Sequence, residues 1–260
     1  VFDLMAKGLV ERIGMDAGCI KHQTAGKEKY VKEMPIPDHT VGIKVVLDAL
    51  LDSEHGVLST LEDIEAVGHR VVHGGEEFFC SKLIDESVIA EIEKCSDLAP
   101  LHNPANLLGI KAVSEVLPTV PQVAVFDTAF HQTMPSYAYM YALPYEYYEK
   151  YRIRRYGFHG TSHKYVSAKG AKFTGLDLEN SKIITCHLGN GSSITAIANG
   201  KSIDTSMGFT PLEGIIMGTR CGCIDPEIVT FLQEKENLSA EEVNKVLNKK
   251  SGFLGLSCIS

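Results

Sequence analysis

Short apolar runs that alternate with amphipathic helical patterns constrain the fold of this chain more than any other feature. Three runs, at 64–72, 122–126 and 182–187, have the length and composition of strands. The apolar residues of 40–52 recur at helical spacing, and 239–242 form a capping box ahead of another helix. Helices that alternate with strands predict an α/β layered fold.

Turn and cap signals predict further boundaries. Thr40 is the expected N-cap of the first helix. A helix is also predicted to open at Asn103 and Pro104, since proline suits the first helical position. Asn199 and Gly200 separate two short strand-like runs and predict a type I′ hairpin, because both turn residues must adopt positive φ.

Charge and cysteine usage exclude several classes of protein. The 33 Asp and Glu residues outnumber the 25 Lys and Arg residues, and the formal net charge is −8. A field of this sign repels polyanions, so neither nucleic acid nor a membrane surface is an expected partner. The seven cysteines lack the spacing of a zinc ribbon. Reduced thiols and a cytoplasmic location are therefore expected.

Four segments place Gly, His, Asp, Asn or Arg directly at or after a strand-like run. They are 68–75 (GHRVVHGG), 126–131 (FDTAFH), 156–163 (YGFHGTSH) and 187–193 (HLGNGSS). Ligands of open α/β sheets bind beyond the carboxyl ends of strands, which predicts that these segments line one cleft. The glycines of the last segment would let backbone N–H groups approach an oxyanion, although an ordinary turn has the same composition.

Several charged residues in these segments have two interpretations. Arg70 and Arg220 lie among apolar residues and need an anionic partner, which is either a ligand or a carboxylate of the chain. Asp127 could hold a Mg²⁺ hydration shell or cap a helix. His159 and His163 could share one face of a helix, but the H-E-x-x-H pattern of zinc sites is absent.

Together these segments resemble the acetate kinase family. The resemblance follows the chain in order through 68–75, 99–104, 126–135, 156–163, 186–191, 204–211 and 217–220. It implies an α/β, two-domain actin-like ATPase fold of the ribonuclease H-like type, incomplete at both ends. Residues 1–128 would form a first domain without its first strand and phosphate loop. Residues 129–260 would form a second domain that is incomplete at its C-terminal end.

The implied function is ATP-dependent acetate kinase activity, with reversible in-line phosphoryl transfer from ATP to acetate. The expected ligands are acetate, acetyl phosphate, ATP and ADP, with Mg²⁺ or Mn²⁺ as cofactor, and the complete protein is expected to be a homodimer. The alternatives are propionate kinase of the same family and a truncated, catalytically dead binding module. Because counterparts of two nucleotide-binding segments of the family are absent, the chain as given is expected not to turn over.

The resemblance also implies roles for individual residues. Arg70 and Arg220 would hold the carboxylate and the transferring phosphoryl group, Asp127 would position the carboxylate or a water-bound Mg²⁺, and His159 would stabilise the equatorial oxygens. The apolar pocket for the acetate methyl group would comprise Val72, Leu101, Phe158 and Pro211. The phosphate path would comprise His187, Leu188, Gly189, Asn190 and Gly191.

Overall fold

A computed structural model describes residues 3–100 and 102–259, and the chain divides into two compact units. Unit 1 consists of Val1–Arg70, Lys82–Lys94 and Pro100–Ala124. Unit 2 consists of Val71–Ser81, Cys95–Ala99 and Val125–Ser260. The domain boundary expected between residues 128 and 129 stays a prediction.

Strands and helices alternate through much of the described part of the chain. The strands are β1 (Ala6–Glu11), β2 (Gly18–Thr24), β3 (Tyr30–Met34), β4 (Val67–Val71), β5 (Lys82–Leu83), β6 (Gln122–Phe126), β7 (Lys182–Leu188), β8 (Ser192–Ala198) and β9 (Lys201–Thr205). The α-helices are α1 (His39–Leu51), α2 (Glu86–Lys94), α3 (Asn103–Val116), α4 (Ser136–Tyr139), α5 (Tyr145–Tyr151), α6 (Gly160–Thr174), α7 (Glu227–Glu236), α8 (Ala240–Lys249) and α9 (Gly252–Ser257).

Unit 1 is organised around α1. Strands β1, β2 and β3 form an antiparallel sheet in that order. Val45 and Ala49 of α1 pack against Ile20 of β2, whereas Leu47 packs against Val113 and other residues of the α3 region. Helix α1 therefore buries two faces, one against the sheet and one against α3, which explains its high apolar content.

The predicted N-cap of α1 is wrong. Asp38 precedes the helix in an extended conformation, and its side chain accepts a hydrogen bond from Val41 N at 2.8 Å. Thr40 lies inside the first turn, and its hydroxyl donates to Glu115 instead. A carboxylate at the N-cap also interacts favourably with the helix dipole, so Asp38 satisfies the free backbone donors more effectively than Thr40 could.

A second sheet has the strand order β4, β6, β5. Strand β6 has the predicted bounds, while β4 is shorter than the apolar run that predicted it. Asn103 is the first residue of α3 rather than its cap, and its side chain donates to Ile92 O of α2 at 3.2 Å. The chain passes from unit 1 to unit 2 within β4, after Arg70, and within β6, after Ala124.

Unit 2 contains the antiparallel sheet β7, β8, β9. Asn199 and Gly200 join β8 to β9 with φ values of 52° and 75°, which confirms the predicted type I′ turn. The capping box of α8 is also confirmed, since Ser239 and Glu242 bond each other's backbone N–H groups. Helix α6 packs against β7 and against the 3₁₀ helix Ala129–Thr133.

Within the part of the chain that the structure describes, no helix has the length and apolarity required to span a membrane.

The start of α6 is held by a close backbone approach that only glycine permits. Gly160 N donates to Asp127 O at 2.8 Å, and a Cβ at Gly160 would lie 2.4 Å from the same oxygen. A contact this short would force the two segments apart. Gly170, in the same helix, has open space where a Cβ would lie.

These two glycines should respond oppositely to alanine substitution. Gly160→Ala should lower the free energy of unfolding by about 1–3 kcal/mol or more, because α6 and Asp127 must separate. Gly170→Ala should raise it by up to about 1 kcal/mol, since alanine is the better helix former and nothing obstructs it. Urea denaturation of both variants measures the difference. Equal midpoints would contradict the proposed close approach.

Candidate active site

His159 occupies a strained backbone position immediately before α6. Its φ and ψ are 57° and 22°, in the left-handed region that residues with a Cβ rarely adopt. The Gly160 N–H group bonds Asp127 O on one side, and His163 N donates to His159 O at 3.0 Å on the other. Such strain persists only where surrounding contacts over-determine it, and it concentrates at functional sites.

Buried hydroxyl groups hold the two histidines at the start of α6. Ser193 Oγ lies 2.9 Å from His159 Nδ1 and 2.8 Å from His163 Nε2. The other ring nitrogen of His163 lies 2.7 Å from Thr185 Oγ1. The two residues predicted to share a helix face thus converge on one serine of β8. Three of their four ring nitrogens thus lie within hydrogen-bond distance of a hydroxyl group.

His187 forms a second support for His159. The two rings are stacked with centroids 4.0 Å apart and an interplanar angle of 23°. Ser162 of α6 holds His187 in place, with its Oγ 2.9 Å from the His187 Nδ1 atom. The orientation of His159 is therefore set by its backbone, by Ser193 and by a stacked ring.

The Gly-Asn-Gly sequence of 189–191 is a tight turn between antiparallel β7 and β8. Ser192 Oγ donates to Gly189 O at 2.8 Å and closes the turn. Gly218 N donates to Asn190 O at 3.1 Å, which connects the turn to the segment that carries Arg220. Leu188, at the end of β7, is 75% exposed.

Gly191 lies next to two groups that can bind an anion. A Cβ at this position would lie 3.3 Å from both terminal nitrogens of Arg220 and 3.4 Å from His159 Nε2. The guanidinium group and the imidazole therefore border the same small space, and glycine keeps that space open.

Arg220 differs from the other arginines of unit 2. Arg152, Arg154 and Arg155 each form an ion pair with Glu76 or Glu213. In the described residues no carboxylate forms an ion pair with Arg220, whose Nη1 donates to Pro211 O at 2.8 Å. Burial lowers the pKa of Arg220, which shows that its charge is partly desolvated. Such a cation favours an external anion.

An apolar cluster lies beside Arg220. It consists of Val72, Phe158, Met207 and Met217, each at most 5% exposed. Met217 Sδ is 3.8 Å from Arg220 Nη1, and Phe158 directly precedes His159. The arrangement suits a small ligand that carries an oxyanion at one end and an apolar group at the other.

The remaining predicted site residues have different surroundings. Asp127 is buried at the end of β6, and its N–H group donates to Val71 O at 3.0 Å. Arg70 is exposed and belongs to unit 1, so its place in the site stays a prediction. Leu101 lies outside the described residues. The described ranges contain no group of three or more His, Cys, Asp or Glu residues that could hold a metal ion.

Four residues of the site were not predicted from the sequence: Ser193, Thr185, Met207 and Met217. One signal for the hydroxyl residues was present in the strand pattern. Thr185 lies opposite Thr195 in the β7–β8 register, and Ser193 is two residues from Thr195 on the same face of β8. Their contacts with α6 depend on tertiary packing, which strand periodicity does not report.

Comparisons with known proteins identify relatives over almost the whole chain. The profile of the acetokinase family matches residues 2–260. An acetate kinase of Clostridium acetobutylicum is 62% identical over 257 residues, which are 99% of this chain and 64% of that protein. An acetate kinase of Caldanaerobacter subterraneus is 63% identical over the same shares. The chain thus spans about 64% of the length of these curated relatives.

Solved structures give the same result for the fold. The crystal structure of Porphyromonas gingivalis acetate kinase matches with a TM-score of 0.95 and 51% identity, over 98% of this chain and 64% of that one. A propionate kinase from Francisella tularensis matches with a TM-score of 0.90 and 47% identity over the same shares. The α/β fold class expected from the sequence is confirmed.

Buried histidines should make the stability of the protein strongly dependent on pH. Burial lowers the pKa of His73 to about 3 and the pKa values of His131 and His163 to about 4. These rings titrate near 6.5 in the unfolded chain, so between about pH 6.5 and 4 the unfolded chain binds more protons. The free energy of unfolding should therefore fall as the pH is lowered through this window.

At about pH 5 these three rings should take up nearly three protons on unfolding. The pH dependence of the urea midpoint measures this uptake. His163→Gln should reduce the uptake by about one proton, because it removes one of the three rings. A stability that stays constant between about pH 7 and 5 would show that the rings are not desolvated.

Proposed function

Because the chain belongs to the acetokinase family, we propose that the protein is an ATP-dependent acetate kinase. It transfers a phosphoryl group reversibly and in line from ATP to acetate, and the products are acetyl phosphate and ADP. The observation that carries the proposal is the half-buried Arg220, which has no carboxylate ion pair in the described residues and borders the same space as His159.

The proposed roles follow from the charge of the reaction. Phosphoryl transfer develops charge on three equatorial oxygens, so positioned donors supply most of the catalysis. Arg220 offers a rigid fork of donors, and His159 offers Nε2 at the same space beside Gly191. Arg70 would hold the acetate carboxylate.

The apolar cluster supports a small acyl group. Val72 and Phe158 are buried together beside Met217, which contacts Arg220. Val72, Phe158 and Pro211 would surround the acetate methyl group, while the carboxylate points to the arginine side. Leu101 is proposed for the same pocket on the resemblance alone.

The phosphoryl donor would be ATP with Mg²⁺ or Mn²⁺. Mg²⁺ in nucleotide sites keeps several of its waters and takes one or two protein carboxylates, so the buried carboxylate of Asp127 would fit this ion through water. When bound, the ion would neutralise negative charge on the phosphates. Residues 187–191 would lie along the phosphate groups of the bound nucleotide.

We also propose a cytoplasmic homodimer. The proposed location rests on the seven cysteines, whose odd number and spacing do not match a disulfide framework. The dimer rests on the family resemblance.

Propionate kinase is the second candidate, supported by the similarity to the Francisella tularensis propionate kinase. The two acids differ by one methylene, which a pocket discriminates by only about 1–3 kcal/mol.

A chimera tests the proposal directly. Residues 1–260 would replace the matching region of the Clostridium acetobutylicum relative, whose own remaining segments complete the protein. We expect the chimera to form acetyl phosphate from ATP and acetate, and the 260-residue chain alone not to do so. A folded chimera without activity would contradict the kinase assignment. Activity that requires nothing beyond the 260 residues would contradict the prediction for the chain alone.

Arg220→Ala in the active chimera should lower kcat/KM by about 10²-fold or more, on the scale of losing one preorganised donor to the transition state. The matched control is Arg12→Ala. Arg12 forms an exposed ion pair with Glu33 in unit 1, so its loss should leave the rate nearly unchanged. Acetyl phosphate formation measures both. Near-normal turnover of Arg220→Ala would exclude a catalytic role.

Val72→Ala should enlarge the proposed methyl pocket by two methyl groups. Propionate use should improve by about 10-fold relative to acetate, because one methylene contributes about 1–3 kcal/mol, and acetate use should persist. The ratio of kcat/KM for the two acids tests this prediction. Val45→Ala, a buried valine of α1 in unit 1, is the control for general destabilisation. An unchanged ratio would mean that another part of the chain bounds the acyl group.

A further inference from the structure

Ser193 lies between two imidazole rings in the interior of unit 2. Ser193 and His163 are fully buried, and Thr185 is 4% exposed. In residues 3–100 and 102–259, the hydrogen-bond partners that the structure shows for Ser193 Oγ are His159 Nδ1 and His163 Nε2. Buried donors and acceptors are rarely left unsatisfied, so we expect the Ser193 hydroxyl to bond both ring nitrogens.

The donor inventory restricts where the ring protons lie. A serine hydroxyl has one proton, and a neutral imidazole has one N–H group and one bare nitrogen. If both facing nitrogens carried protons, the buried hydroxyl proton of Ser193 would have no acceptor. If both were bare, one of them would have no donor. Either defect leaves a buried polar group without a partner, which is unfavourable. One facing nitrogen is therefore protonated and the other is bare.

His163 differs in this respect from a neighbouring buried histidine. His131 Nε2 lies 2.9 Å from Phe158 O, and a carbonyl only accepts, so His131 is the Nε2–H tautomer. Ser202 must then donate to His131 Nδ1, which lies 2.9 Å from its Oγ. His163 instead lies between two hydroxyl groups, Thr185 and Ser193, and each hydroxyl can donate or accept. Its tautomer is free to follow that of His159.

We propose that Ser193 is a positioning residue that couples the tautomers of His159 and His163. Because Ser193 faces Nδ1 of one ring and Nε2 of the other, the neutral rings must be the same tautomer, either both Nε2–H or both Nδ1–H. Thr185 is the last member of this row of hydrogen bonds. Its hydroxyl can accept from Nδ1–H of His163 or donate to a bare Nδ1, so it is compatible with both tautomers.

The coupling itself does not depend on the proposed function, but the direction in which the hydrogen bonds run rests on it. His159 Nε2 faces the space beside Gly191 and Arg220, where a phosphoryl oxygen would lie. An anionic oxygen requires a donor, so neutral His159 would carry its proton on Nε2. The hydrogen bonds then run from Thr185 to His163, from His163 to Ser193 and from Ser193 to His159 Nδ1. Ser193 thus directs the His159 donor at the oxyanion.

Long-range ¹H–¹⁵N correlation spectra of the ¹⁵N-histidine-labelled 260-residue chain test the coupling. At about pH 8, above the ordinary pKa of an imidazole, the spectra identify the protonated nitrogen of each ring. We expect His159 and His163 to be the same tautomer. With saturating inorganic phosphate, both should be Nε2–H. If His159 and His163 of the unsubstituted protein are different tautomers, the coupling is wrong. If both rings are Nδ1–H in the presence of phosphate, the proposed direction is wrong.

Substitution provides a matched comparison. Ser193→Ala should change the His159 and His163 signals, since the shared hydroxyl is lost. Ser202→Ala removes an equally buried hydroxyl from a histidine and should change the His131 signals while leaving the tautomers of His159 and His163 as they were. His159 and His163 signals unaltered by Ser193→Ala would contradict the proposal. If Ser193→Ala does not fold, the spectra of the unsubstituted chain decide alone.

Failure of this proposal is distinguishable from failure of the kinase assignment. If His159 and His163 are the same tautomer but the chimera is inactive, the coupling is supported and the proposed function is wrong. If the two rings are different tautomers but the chimera is active, the coupling is wrong and the kinase assignment is supported.

Discussion

The backbone contact between Gly160 and Asp127 determines how the candidate site of unit 2 is assembled. The 2.8 Å hydrogen bond joins the end of β6 to the first residue of α6. His159, immediately before this contact, must adopt a left-handed conformation to enter the helix. The same contact orients α6 so that His163, one turn later, reaches the sheet. A side chain at Gly160 would disturb all of these positions together.

Desolvation explains why the site contains both a cation and the neutral ring of His163. Burial makes protonation of His163 unfavourable, so at neutral pH this ring serves as a hydrogen-bonding group rather than a charge. Arg220 cannot respond in this way, because a guanidinium group stays protonated, and its partial burial leaves a charge for which a ligand is the natural partner. The histidine and hydroxyl groups orient hydrogen-bond donors, whereas the arginine attracts an anionic ligand.

The proposed reaction requires from unit 2 mainly a desolvated cation, oriented hydrogen-bond donors and a small apolar pocket. A loose phosphoryl transition state is stabilised by fixed donors, and specificity for the acid depends on the size of an apolar pocket. Arg220 contacts the apolar cluster through Met217, so the anionic and apolar ends of a small acid would be bound by adjacent residues. Similarity to both an acetate kinase and a propionate kinase agrees with a site in which a single methylene separates the substrates.

Local patterns in the sequence determined the elements whose causes are local. The β8–β9 turn, the capping box of α8 and the bounds of β6 all follow from neighbouring residues, and the structure has each as predicted. The family could also be recognised, because its motifs recur in order along the chain. Asp38 rather than Thr40 caps α1, since cap choice depends on side-chain geometry that residue preferences rank only approximately. Contacts between distant segments were decided by the tertiary structure alone. Ser193 contacts both histidines, and Arg220 and His159 both lie next to Gly191, because tertiary packing brings together residues that no sequence period relates.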